Sequence, residues 1–273
     1  MDSGRRRLRL WLGLGTAALM TTQAGLAAAQ GATAAPPATL PPAMQGGEGG
    51  EGGEGGEGGV DADRALTDPL AFTVALDVMA AHIVAGRDVY RAAPDSAAEM
   101  FAHAIAEVYA LMEEVLTQRG VAPFQDRMDR ATTLAQDRAP AETLTQAAGA
   151  ILAALQEAET HAPSPGATPA VQLRVAVEMA DRAALQYGVA LRDTDKDEPY
   201  LDGYGLARVA ALRGTALLPG LRAAGQAEAA ARLEEVLALL GAAYPTSTRP
   251  DHTPAVDPAA LLAASSRLRL AID

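Results

Sequence analysis

The chain has no cysteine, four histidines, and a single lysine (Lys196) among 22 basic residues. Without cysteine it can form neither a disulfide nor a thiolate metal site. The stability of its folded part must therefore come from an apolar core. Aromatic residues make up only 4% of the chain, so that core must be mainly aliphatic. Positive charge is scarce as well: the formal net charge is -12. Losing residues 1–29 would remove four arginines and Asp2, leaving about -15. A surface of that sign disfavours nucleic acid and anionic lipid as partners and favours cations or basic proteins. Glycine-rich phosphate loops, serine elbows and cysteine nucleophiles are all missing, so the sequence predicts no enzyme. No segment alternates as a strand would.

The N-terminus carries the pattern of an export signal. Arg5, Arg6, Arg7 and Arg9 precede a short apolar stretch, Leu10 to Met20, and Leu26-Ala27-Ala28-Ala29 ends in an A-x-A motif. The stretch is too short for a comfortable membrane span, so residues 1–29 are expected to be a cleaved signal with no stable span left behind. The preference for arginine over lysine and the abundance of alanine point to a GC-rich bacterial genome, and hence to a periplasmic location. Residues 30–64 read as a linker, first rich in Ala and Pro. Gly-Gly-Glu then recurs, with Glu48, Glu51, Glu54 and Glu57 three apart. Such a segment predicts a flexible tether.

Residues 65–273 are expected to form one all-α helical bundle of seven to eight helices, mostly antiparallel hairpins. Phe72, Leu76, Met79, Ile83, Gly86 and Tyr90 step by four and three, which makes one apolar helical stripe. Pro94 ends it, and Ser96-Ala97-Ala98-Glu99 reads as a capping box that opens the next helix. Phe101, Ile105, Val108, Met112 and Val115 repeat the stripe up to Gly120. Further helices are expected from Phe124 to about Gln136, from Pro140, after Thr168-Pro169, from Tyr204 to about Leu218, over 226–240, and from Asp257-Pro258.

Two matched Met-x-x-His pairs stand out: Met79…His82 and Met100…His103. Residues three apart on a helix share a face, and Glu107 lies four beyond His103 on the same face. If the two helices fold back on each other about Pro94, residue 82 falls opposite residue 106. Met79, His82, Met100, His103 and Glu107 are therefore the candidate metal ligands. Two histidines with two thioethers would suit Cu(I), and two histidines with Glu107 would suit Zn, Cu(II) or Fe. Both methionines also fit the apolar stripes as core filler. His161 reads as a helix-end residue, and His252 lies in a Pro-rich segment. The acidic turn Asp193-Thr194-Asp195-Lys196-Asp197-Glu198 has the 1, 3, 5 spacing of a calcium loop. It lacks the glycine at the sixth place and the glutamate at the twelfth.

The stretch Gln186-Tyr187…Asp193…Glu198-Pro199-Tyr200-Leu201-Asp202 resembles a motif in periplasmic segments of the bacterial high-affinity iron permease family. Thr194 stands where that motif has glycine, and the two halves are spaced differently. His82…Gly86…Tyr90 with His103…Glu107-x-Tyr109 resembles exported helical proteins of proteobacteria that carry a Gly/Glu-rich leader. The first resemblance implies iron or another transition metal. The chain as a whole reads as an exported periplasmic bundle that binds a transition metal (Fe, Cu or Zn) or a metal complex for uptake, delivery or sensing. The alternative is a non-catalytic module that docks an envelope protein.

Overall fold

The structure, a computed structural model, describes residues 59–251 and 256–272. The expected signal and most of the expected tether lie outside the described residues. All regular structure among the described residues is helical: α1 (Ala62–Ala65), α2 (Pro69–Val89), α3 (Pro94–His103), a π-helical turn (Ala104–Tyr109), α4 (Ala110–Gln118), α5 (Gln125–Gln136), α6 (Ala141–Glu159), α7 (Pro169–Arg192), α8 (Glu198–Ala223), α9 (Ala227–Ala243) and α10 (Pro258–Ile272). The all-α bundle expected from the periodicity is what forms. Helical structure is already present before residue 65, in α1. Val60 is buried, and the Gly59 carbonyl accepts a hydrogen bond from Arg182.

α2 is the central helix and packs against α3, α6, α7 and α8. It starts where Asp68 accepts a hydrogen bond from the Leu70 N–H, with Pro69 at the first helical position. It is long and apolar enough to cross a membrane, with a mean hydropathy of 1.6, but 72% of that stretch is buried inside the bundle. Its burial on several sides explains why it reads as apolar all round. Stripe residues Phe72, Leu76, Met79, Ile83 and Gly86 are all buried, as are Leu144, Ala148, Ile151 and Leu155 of α6.

Two contacts show how α2 meets its neighbours. Residue 86 lies against residues 97–101 while His82 lies against residues 103 and 107, so α2 and α3 run antiparallel. Along α8 the pairs are Asp77 with Arg213, Ala81 with Gly205, and His82 with Asp202, again antiparallel.

Two helix starts and one helix interior differ from the sequence reading. α3 begins at Pro94, with no side-chain cap, so Ser96 and Glu99 lie inside the first turns and do not form a capping box. Proline at the first position already supplies a helical φ and needs no donor partner. α8 begins at Glu198 and not near Tyr204, and it runs through Pro219 to Ala223. The early start follows from Pro199, again in the first turn, and from Glu198, whose charge suits a helix N-terminus. The helix expected from Ser96 to Gly120 contains a π turn, in which the Ala110 N–H reaches back five residues to the Ile105 carbonyl.

Candidate metal site

The hairpin of α2 and α3 brings His82, His103 and Glu107 together, as the register about Pro94 anticipates. The His82 and His103 rings lie 6.2 Å apart, nearly perpendicular. His103 and Glu107 are four apart, and His103 Nδ1 sits 3.7 Å from Glu107 Oε1. Glu107 lies within the π turn, a departure from regular helix found mostly at functional sites.

The two methionines take a different course. Met79 is 0% exposed and Met100 is 1% exposed, both among the apolar side chains of the core. Met100 packs on α2: a Cβ on Gly86 would sit 3.2 Å from its own Cβ. The stripe positions turn these thioethers into the core, while the histidines, three residues on, face the seam with α8.

That seam supplies two carboxylates that the Met/His pattern did not include. Glu198 Oε1 lies 3.6 Å from His103 Nδ1, and Asp202 Oδ1 lies 3.4 Å from His82 Nε2. Glu198, Asp202, Gly205 and Val209 step by four, three and four, the spacing of a single face of α8. Spacing four apart within the Glu-x-Tyr-x-acid motif was the available signal, but nothing in the sequence tells which helix this face meets.

The face is aimed by its neighbours. The Tyr204 hydroxyl donates to Asp88 Oδ2 on α2 at 2.9 Å, and the Tyr200 hydroxyl donates to the Thr246 carbonyl at 2.7 Å. The acidic turn before α8 is held by Arg249, which donates to the carbonyls of Ala190, Asp193 and Lys196 and lies 3.5 Å from Asp197. The cation that the helix C-terminus calls for is thus an internal arginine.

His103 Nδ1, Glu107 and Glu198 offer ligand atoms that all lie within 4.8 Å of one another. His82 is 5% exposed. Neither its Nδ1, nor His103 Nδ1, nor Asp202 Oδ1 has a hydrogen-bond partner, although each is buried. Buried polar atoms are normally satisfied, so three orphans in one cluster call for an explanation. Burial pushes the Glu107 carboxyl above its ordinary pKa, assisted by Asp202 and Glu198 and opposed by His82 and His103. A cavity of about 260 Å³, lined by His82, Glu107, Asp202, Gln186 and Leu185, adjoins the cluster.

His161 stands apart from the cluster. His161 Nδ1 lies 2.9 Å from the Arg119 carbonyl, while Arg119 Nε donates to the His161 carbonyl, so the pair ties the end of α4 to the turn after α6. His252 lies outside the described residues. Compared with protein-family models, curated proteins and solved structures, the chain matches none.

Proposed function

We propose that the protein is an exported helical bundle that binds a transition-metal ion for uptake, delivery or sensing, with His103, Glu107 and Glu198 as ligands. The observation that carries this reading is the convergence of one imidazole nitrogen and two carboxylates within 4.8 Å, with the nitrogen buried and without a hydrogen-bond partner. An imidazole with carboxylates suits Fe, Zn or Cu(II); the thioethers a Cu(I) site would use are packed in the core. The stretch from Gln186 to Asp202 that resembles iron-permease periplasmic segments includes Glu198 and Asp202, which favours iron.

The test is titration of the chelator-stripped full chain with Fe(II), Zn(II) and Cu(II). The His103→Ala/Glu107→Gln variant should lose affinity by more than the roughly 10–100-fold that removal of an outer-shell partner costs. It should keep its helical circular dichroism, because both side chains are at the edge of the core. Equal affinities for variant and parent would refute the site. The same reading expects a mature chain that begins near Gln30 in the envelope, and N-terminal sequencing that finds Met1 there would refute export with cleavage.

A second reading, docking of an envelope protein, is favoured by one feature. A groove of about 690 Å³ lies over α2 between α6 and α8, and Leu212 on its edge is 72% exposed. A chain that bound no ion in the titration, and whose envelope complex was lost in a Leu212→Asp variant, would favour this reading.

A further inference from the structure

The two oxygens of Glu107 face different histidines. Oε2 lies 3.8 Å from His82 Nε2, and Oε1 lies 3.7 Å from His103 Nδ1. Each histidine also has a second carboxylate of its own. Asp202 Oδ1 is 3.4 Å from His82 Nε2, and Glu198 Oε1 is 3.6 Å from His103 Nδ1. The cluster is therefore two similar halves, each with one imidazole and one α8 carboxylate, which share Glu107.

None of these four separations is a hydrogen bond. They do match the spacing of two ligand atoms on one ion. With bonds of about 2.1 Å, ligand atoms stand roughly 3.4 Å apart in a tetrahedral site and roughly 3.6 Å apart in a trigonal one. The half containing His82 has its own unexplained atoms. His82 is 5% exposed with its Nε2 turned to the two carboxylates, and Asp202 Oδ1, which faces that nitrogen, is buried and unpartnered. A buried imidazole that meets two carboxylates without bonding to either is poorly explained by packing alone.

We infer that the site holds two metal ions bridged by Glu107. One is bound by His82, Asp202 and Glu107 Oε2, and the other by His103, Glu198 and Glu107 Oε1. This rests on the single-ion reading above and adds a second ion to it. Charge supports the pair: three clustered carboxylates are left with net negative charge by one divalent ion, but not by two. A bridging carboxylate holds two ions roughly 3.5–4 Å apart. One nitrogen and hard oxygens at each position suit Fe(II), Mn(II) or Zn(II). The adjoining cavity leaves room for a small exogenous ligand.

The test counts ions on the full chain. Chelator-stripped protein is dialysed against Zn(II), Fe(II) or Mn(II), and bound metal is measured. The His82→Ala/His103→Ala variant supplies the background from the Gly-Gly-Glu repeats. Two ions above that background are expected. The Mn(II) form should show a broadened, exchange-coupled electron paramagnetic resonance signal and not the six lines of an isolated ion. Asp202→Asn should bind one ion and show the six-line signal, with its thermal melt confirming that it folds. One isolated ion in the parent chain would overturn the second position and leave the single-ion reading standing. Two uncoupled ions would overturn the bridge. No ion above background with any of the three metals would overturn both readings.

Discussion

Replacing Arg213 by methionine should lower the thermal midpoint by roughly 10 °C, the largest loss expected from any single change here. Arg213 on α8 reaches into the seam with α2 and holds two carboxylates. It forks onto Asp77, with Nη2 2.6 Å from Oδ1, and it donates to Glu159 at the end of α6 at 2.8 and 3.1 Å. Burial alone would lower the pKa of the guanidinium, but hydrogen bonds and charge from Asp77 and Glu159 win and hold it above its ordinary value. Without it, a buried Asp77 and a mostly buried Glu159 remain with no cation between them. Breaking a buried ion pair from one side costs about 3–5 kcal/mol, most of it the penalty of the stranded charge.

Two controls separate that cause from lost packing. A triple variant, Asp77→Leu/Glu159→Leu/Arg213→Met, removes the charges together and should recover most of the loss. The single variant should also depend on pH in a definite direction. Burial already pushes Asp77 up to about 6 with the arginine present, and its removal raises it further. A carboxyl whose folded pKa lies above its unfolded one loses stability as pH rises through that interval. Arg213→Met should therefore be more stable near pH 4 than near pH 7. A thermal melt that changes the other way would refute the stranded-charge account.

The second large effect is expected at Gly205. A Cβ there would lie 2.2 Å from the Ala81 carbonyl oxygen and 2.7 Å from its carbon. These are backbone atoms of α2 and cannot rotate away, so α2 and α8 would have to separate by about 1 Å. Overpacking of this kind costs about 1–3 kcal/mol, which corresponds to roughly 5 °C in a domain of this size. It should also reach the metal site. Ala81 precedes His82, and Asp202 lies one turn before Gly205, so the separation draws Asp202 away from His82. Gly205→Ala should thus bind fewer ions as well as melt earlier. Gly149, on the exposed side of α6, is the contrast, since a Cβ there meets nothing within 4 Å. Gly149→Ala should raise stability by about 0.5–1 kcal/mol through helix propensity alone. Equal melting temperatures for the two variants would refute the close-approach argument.

The helices were legible because each buries one apolar stripe, and a stripe has a period that a single sequence shows. α2, α5, α6 and α7 lie close to where their periodicity places them, and the hairpin about Pro94 brings His82, His103 and Glu107 within reach of one another. Short turns make that possible, because a local register follows from chain connectivity. The boundaries read less well at Pro94 and Glu198. There a proline in the first turn starts the helix, ahead of the capping-box pattern at Ser96 and the apolar run from Tyr204. The π turn at Ala104–Tyr109 left no mark in the stripe, since one extra residue in a turn still allows apolar residues to face inward.

The all-α class, the α2–α3 hairpin and the shared face of His103 and Glu107 follow from the amino-acid pattern, because each depends on residues near in the chain. It could not determine which side chains of that face look into the core and which look along the seam. Met79 lies on the stripe and is buried in the core, whereas it is the packing of α8 that sets Asp202 against His82 and makes it a candidate ligand. Nor could the pattern place Glu198 and Asp202, about 95 and 120 residues beyond their histidine partners. Their approach depends on the Gly205 contact with Ala81, on Arg213 locking the far end of the seam, and on Tyr200, Tyr204 and Arg249 aiming the near end. Those are contacts between elements distant in sequence, and periodicity, which reports the face a helix buries, carries no information about the helix that covers it.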